Sequence, residues 1–173
     1  MHDVHRTANL LGATALAVSD LMLADVRAAT HVSVSGAAAL VVLAHAPDLG
    51  VTELGRRVGL SQPAAARMVD SLVAAGLARR GQAQGRSVAV SLTRAGKRAV
   101  KQVLAARAEG LAGLVTGLEG TDRRVLTDLL ERLLAQFYAE VRNADLLCRL
   151  CDRAACTDSA VCPVGQAERD AGV

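Results

Sequence analysis

The sequence predicts a mainly helical chain with one small β-hairpin, and three observations carry that prediction. Ala and Leu recur along the whole chain while aromatics are confined to the adjacent pair Phe137 and Tyr138, with no Trp, a composition that suits helices better than a sandwich or barrel. One stretch, Thr52 to Lys101, reads as helix, turn, helix and hairpin. The same stretch holds ten of the twenty Lys and Arg but only Glu53 and Asp70 as acids, a net +8, whereas the rest of the chain is −5 and the whole only +3. A basic segment inside an otherwise acidic protein is the electrostatic footprint of a polyanion-binding surface, because phosphates neutralised by Lys and Arg release condensed counterions.

The elements follow in order. Apolar residues Leu11, Ala15, Val18 and Met22, flanked by Leu10 and Leu21, form one stripe of a first helix from about Thr7 to Ala28. Ser35 is an N-cap candidate for a second helix through Ala44, which Pro47 and Gly50 terminate. Thr52 is placed to cap a short third helix, Glu53 to Val58. Gly59 ends it by tolerating positive φ, Leu60 plugs the turn and Ser61 caps the next helix. That fourth helix, Gln62 to about Ala75, carries Pro63 in its first turn, where the missing N–H costs nothing. Ala65, Met68, Val69 and Leu72 line its inner stripe, and Gly76 closes it.

Leu77 to Arg80 and Arg86 to Leu92 then alternate around a polar tip, Gly81 to Gly85, and read as a two-stranded hairpin. Thr93 caps a long helix with an apolar seam of Val100, Val103, Leu104, Leu111, Leu114, Val115 and Leu118, weakened or bent by Gly110, Gly113 and Gly117. Thr121 is placed to cap a last helix bearing Val125, Leu126, Leu129, Leu130, Leu133, Leu134, Phe137 and Val141. That face is wider than a small domain needs, so a second copy is its expected partner, with packing inside one chain as the alternative.

A helix that enters a major groove needs short or flexible outward side chains, and Gln62, Ala64, Ala66 and Arg67 provide them. Arg67 suits guanine, Gln62 adenine, and the alanine methyls thymine. Ser61, Pro63 and the free N–H groups at the helix start lie where phosphate approaches. Arg79, Arg80 and Arg86 cluster on the hairpin with no acid between them, as a cationic loop reaching a minor groove would. Against this stand an ordinary surface helix and a merely solvated charge run. The near absence of aromatics argues against stacking of single-stranded bases, which leaves duplex DNA.

These residues resemble the MarR-type winged helix-turn-helix regulators. The likeness runs through Val51 to Gly55, Leu60 to Pro63, Arg67 to Asp70, Leu72 to Leu77, Arg86 and Val90 to Gly96, and covers about Leu10 to Val141. It implies a winged helix-turn-helix with N- and C-terminal dimerisation helices: a MarR-like domain over 1–146, with a DNA-binding lobe about 33–99 and dimerisation helices about 7–28 and 94–146. It further implies an obligate homodimer on a near-palindromic operator, acting as a repressor or occasionally an activator, with a small-molecule effector at the dimer junction. Arg86 holds the family's wing-tip arginine position, and Gln84 replaces the acid usual two places earlier.

Residues 147–173 form a cysteine-rich tail beyond that likeness. Cys148, Cys151, Cys156 and Cys162 give C-x2-C-x4-C-x5-C, four thiols within fifteen residues that can wrap one ion tetrahedrally. Arg149 and Arg153 favour thiolates, and Pro163 after the last Cys echoes some iron–sulfur motifs. Zinc is the first expectation; an iron–sulfur cluster, or redox-active thiols without metal, are the alternatives. The tail either tunes lobe spacing or staples the C-terminus.

The start of the chain has no cationic leader before an apolar run, and the apolar run Leu10 to Ala24 is interrupted by Thr14, Ser19 and Asp20, so a cytoplasmic protein with no membrane partner is expected. His2, His5, His31 and His45 are scattered, and no phosphate loop, nucleophile elbow or zinc-protease pair occurs, so an enzyme is not expected. Two other function classes stay open: a winged-helix protein-interaction module, and a metal- or redox-handling protein working through its Cys tail.

Overall fold

The computed structural model describes residues 2–84 and 87–172. The chain runs α1 (His2–Thr30), α2 (Val34–His45), β1 (Leu49–Gly50), α3 (Val51–Val58), α4 (Gln62–Ala74), β2 (Ala78–Gln84), β3 (Ser87–Leu92), α5 (Arg94–Thr116) and α6 (Gly120–Val141), then three short helices in the tail, α7 (Ala144–Leu147), α8 (Arg153–Cys156) and α9 (Pro163–Asp170). It is a mainly helical winged helix.

The core is centred on α2, whose residues from Gly36 to Leu43 are all buried. Ser33 caps this helix, accepting from the Gly36 amide at 3.1 Å, so the cap lies two residues before the Ser35 that the pattern suggested. Ser35 itself lies inside the first turn. Around α2 gather Val26 of α1, Leu54 and Val58 of α3, Met68, Val69 and Leu72 of α4, Val90 of β3 and Val103 of α5. Burying an aliphatic side chain of this size contributes about 1.5–3 kcal/mol, so these residues fix the lobe.

The sheet has three antiparallel strands in the order β1-β3-β2, one more than the sequence suggested. The extra strand is only Leu49–Gly50, paired with Val90 and Ala89, too short for period-2 alternation to register. The hairpin register slips between Arg80 and Ala83, and β2 continues to Gln84 where a loop from Gly81 was expected. Gly85 and Arg86 lie outside the described residues.

Thr93 caps α5 as expected and does more. Its Oγ1 accepts from the Gly96 amide at 3.0 Å and donates to the Gly76 carbonyl at 2.7 Å, closing the base of the wing onto the end of α4. Thr52 and Thr121 do not cap: α3 starts after Gly50 and α6 after Glu119, neither with a side-chain cap.

α1 lies along α5. Gly110 sits where a Cβ would strike the Asp25 carboxylate, so this glycine permits the close approach of the two helices rather than bending one. The outer faces stay uncovered: Leu10 and Leu16 on α1, Leu114 on α5, and Leu129, Leu130 and Phe137 on α6 are all exposed. By length and composition α1 could cross a membrane, because the helix runs well beyond the apolar stretch that looked too short. The tail is anchored through buried Leu150 and Val164, with α9 and α7 packed on α6.

Candidate nucleic-acid interface

α3 and α4 meet through a turn built on Gly59, whose φ of 74° is the left-handed conformation glycine accepts without a Cβ penalty. The Leu60 amide returns to the Gly55 carbonyl at 2.9 Å, and Leu60 packs against the core as the plug of the turn. Gly55 is equally specific to the site: a Cβ there would lie 2.6 Å from Cβ of Ala65, so the two helices touch backbone to side chain. This crossing holds α4 as a rigid rod with Ala65, Met68, Val69 and Leu72 inward.

The outer side of α4 presents Gln62, Pro63 and Arg67 to solvent, with Ala64 and Ala66 half-buried beside them. Arg67 has no ion-pair partner among the described residues. Ser61 occupies the N-cap position in extended backbone, yet its hydroxyl accepts no helix amide. Hydroxyl and first-turn amides are thus left for an external acceptor, and the helix dipole favours an anion there.

The wing basics divide. Arg79 is exposed on β2, whereas Arg80 donates to Asp70 of α4 at 2.7 Å, so the hairpin is not free of acidic partners as the sequence order suggested. Arg56 and Arg57 on α3 are likewise engaged by an acid. Both hold Glu53, at 2.8 and 2.7 Å, and Arg57 also reaches Asp145 of the tail at 3.3 Å. These hydrogen bonds, Arg56 first, hold the Glu53 carboxyl down at about 2. The i, i+3 and i, i+4 spacing of Glu53 with Arg56 and Arg57 was legible in the sequence; the partnership with Asp145 was not.

The tail meets this helix-turn-helix directly. Asn143 Nδ2 donates to the Arg56 carbonyl at 3.4 Å, and Leu146 lies over Gly59. Asp145 joins Arg57 to Arg153. Cys148, Cys151, Cys156 and Cys162 are brought to one cavity of about 340 Å³, each half-buried and unoxidised. The hydrogen bond from Cys151 lowers the Cys148 thiol, and its counterpart, with burial, pushes Cys151 far up. Burial, then the charge of Cys151, pushes Cys156 up to about 11. The Gly165 amide donates to Sγ of Cys162 at 3.4 Å. Among the described residues no three His, Cys, Asp or Glu side chains converge on one point as ligands of a single ion do.

A second cavity of about 520 Å³ opens between α2, the wing and α5. Leu43, Leu92 and Val100 form apolar wall, and Arg79, Lys97 and Lys101 supply positive charge.

The sequence profile of the MarR family matches residues 32–87, which span α2 to the described part of the wing. No curated protein matches the chain. Among solved structures, a MarR family protein from Bacillus stearothermophilus is 21% identical, with TM-score 0.70 over 79% of this chain and 96% of its own. RV1404 from Mycobacterium tuberculosis is 25% identical, with TM-score 0.64 over 81% of this chain and 94% of its own. The MarR family protein RV2887 from Mycobacterium tuberculosis, solved in complex with salicylic acid, is 25% identical, with TM-score 0.54 over 71% of this chain and 95% of its own.

Proposed function

We propose that this chain, whose residues 32–87 match the MarR family profile, is a homodimeric, sequence-specific repressor of transcription that binds duplex DNA through α4 and the wing. The observation that carries the reading is the outer side of α4: Gln62 and Arg67, the latter with no ion-pair partner among the described residues, stand exposed on a helix whose start offers Ser61 and free amides, and Arg79 is exposed on the wing. Arg67 and Gln62 supply the side-chain chemistry for guanine and adenine edges in the major groove, while Ser61, the helix start and Arg79 meet phosphates and set register. Pro63, Ala64 and Ala66 present the small apolar surface that admits the helix, and Arg86, outside the described residues, keeps the DNA contact that the family resemblance implies.

Dimerisation is argued from α1, α5 and α6. Leu10, Leu16, Leu114, Leu129, Leu130 and Phe137 are exposed on these helices, and an apolar surface of that extent on a soluble regulator belongs to an interface. A second copy covers it and also accounts for the membrane-like composition of α1, which carries Asp20 and Asp25. Two lobes then present their α4 helices to successive major grooves, about 34 Å apart on one face of DNA.

A small anionic effector suits the cavity between α2, the wing and α5, where the three cations Arg79, Lys97 and Lys101 outnumber the one carboxylate, Asp48, beside apolar wall. The salicylic acid complex of RV2887 supports an aromatic carboxylate as the class. A ligand there releases DNA only if it prefers a lobe arrangement that the operator disfavours.

The test is selection of random duplex fragments by the purified chain, followed by sequencing and by sizing of the protein. A recurrent near-palindromic site bound by a dimer is the expected result. Recovery of unenriched fragments, or a monomer at working concentration, contradicts the reading.

A further inference from the structure

We propose that Cys148 and Cys151 are a dithiol that a hydroperoxide oxidises to a disulfide, and that closing this bond holds the segment Asn143 to Leu147 against α3. The first half stands apart from the DNA-binding reading above; the second rests on that reading for its regulatory meaning.

The backbone sets the pair. The Cys151 amide donates to the Cys148 carbonyl at 2.9 Å, which makes Cys148 to Cys151 a hydrogen-bonded turn. A four-residue turn keeps its end Cα atoms within about 7 Å, and a disulfide asks for about 4.4–6.8 Å. Leu150, inside the turn, is buried in the core of the lobe, so the turn is anchored rather than loose. The two thiols hydrogen-bond to each other, and both are reduced and half-buried. Among the described residues no other two cysteines are joined by a backbone hydrogen bond.

The surroundings admit the reactant. Cys148 and Cys151 both line the cavity of about 340 Å³ and a neighbouring one of about 460 Å³, and either has room for a small hydroperoxide. Arg153 lines the first cavity, where a guanidinium favours the thiolate that attacks. The Cys148 thiolate attacks the peroxide: an S–O bond forms, the O–O bond breaks, and the departing alkoxide or hydroxide takes a proton from solvent. The Cys151 thiol then attacks the sulfenic sulfur of Cys148. The S–S bond forms, the S–O bond breaks, and water leaves with the Cys151 proton. Two electrons have passed from the thiols to the peroxide, and a dithiol reductant returns them by exchange.

The route to the helix-turn-helix is short. The Cys148 amide closes α7 on the Ala144 carbonyl at 2.9 Å. Within that one turn Asp145 reaches Arg57 at 3.3 Å and Leu146 lies over Gly59. Tying Cys148 covalently to a turn anchored by Leu150 therefore restrains the end of α7, and with it both contacts to the helix-turn-helix.

The experiment exposes the reduced full chain, as purified, to hydrogen peroxide and to cumene hydroperoxide. Free thiols should fall from four to two per chain, and dithiothreitol should restore them. Trypsin cuts after Arg149, between the two cysteines, so the oxidised sample should yield 143–149 joined to 150–153, two hydrogens lighter than the separate peptides. Cys151→Ser, checked for retained helix content by circular dichroism, should stop at a sulfenic acid that dimedone traps on 143–149. Hydrogen exchange in 51–59 and 143–147 should slow several-fold in the oxidised wild type and not in Cys151→Ser, a readout that needs no DNA. Four thiols that survive hydroperoxide, whether free or held by one metal ion per chain, overturn the pair, and so does oxidation that joins other cysteines or two chains. A disulfide between 148 and 151 with unchanged exchange in those segments overturns the coupling, and neither result bears on whether α4 reads DNA.

Discussion

Asp70 on α4 and Arg80 on β2 are joined at 2.7 Å, so the two parts of the proposed DNA-binding surface are tied by one exposed ion pair. Such pairs contribute about 0–1 kcal/mol, which makes this link adjustable rather than structural. Its larger consequence is electrostatic, because it takes one wing arginine out of the free positive charge and sets a carboxylate on the proposed DNA-binding surface. Asp70→Asn is therefore expected to change stability by less than about 1 kcal/mol. It should strengthen binding to random duplex several-fold and steepen the salt dependence by about one unit of slope. Titration by fluorescence anisotropy at several salt concentrations checks this; unchanged slope and affinity would place Asp70 and Arg80 away from DNA.

The turn between α3 and α4 and the turn after α4 each use a left-handed glycine, with different neighbours. Gly76, at φ 69°, has open space around its missing Cβ, whereas Gly59, at φ 74°, has Leu146 Cδ1 at 2.9 Å. Gly76→Ala should cost about 1 kcal/mol and Gly59→Ala about 1–2 kcal/mol, the excess being displacement of the end of the Leu146 side chain from the turn. Thermal melts read this as a larger Tm drop for Gly59→Ala, at roughly 2–4 °C per kcal/mol. Equal drops would show that the tail does not bear on the turn.

Glu53 gives the pH dependence. Arg56 and Arg57 hold its carboxyl at about 2 against an ordinary 4.5, so its contribution is complete above 4.5 and is lost as pH falls toward 2. The side chain is about a third exposed, which keeps the contribution under about 1 kcal/mol. Glu53→Gln should flatten the stability profile between pH 4.5 and 2 and lower stability slightly at neutral pH. Chemical denaturation across that window makes the comparison; parallel profiles for the two proteins would count against the ion-pair origin.

The uncovered apolar side of α6 predicts a dimer that a single charge can split. Phe137→Glu puts a carboxylate where a partner's apolar surface should lie, at a cost of several kcal/mol to association. The variant should sediment as a folded monomer and lose operator binding. A Phe137→Glu dimer of wild-type affinity would move the interface elsewhere.

Much of this architecture was legible because it rests on local chemistry. Gly59, Ser61 and Pro63 announce a helix end, a turn and a helix start within five residues, and the inward stripe of α4 follows from period alone. Caps were harder, since Ser33 and Ser35 are both serine and only the exit of the chain from α1 selects the first. β1 escaped notice because two residues carry no alternation. Long-range charge partners lay beyond reach of the sequence: Asp70 finds Arg80 ten residues on, and Arg57 finds Asp145 in the tail. The four cysteines declared themselves by spacing, but only the fold shows that their cavity adjoins the helix-turn-helix through Asp145 and Leu146.

The most direct measurement of the central claim compares wild type, Arg67→Ala and Arg86→Ala for affinity to the selected operator and to a scrambled duplex of equal length, at fixed salt. Loss of a guanine contact through Arg67 should cut operator affinity by about 1–3 kcal/mol while leaving the scrambled duplex nearly unchanged, whereas Arg86→Ala should weaken both alike. Three proteins of equal affinity for the operator, or a wild type that does not distinguish the two duplexes, would contradict reading of DNA by α4.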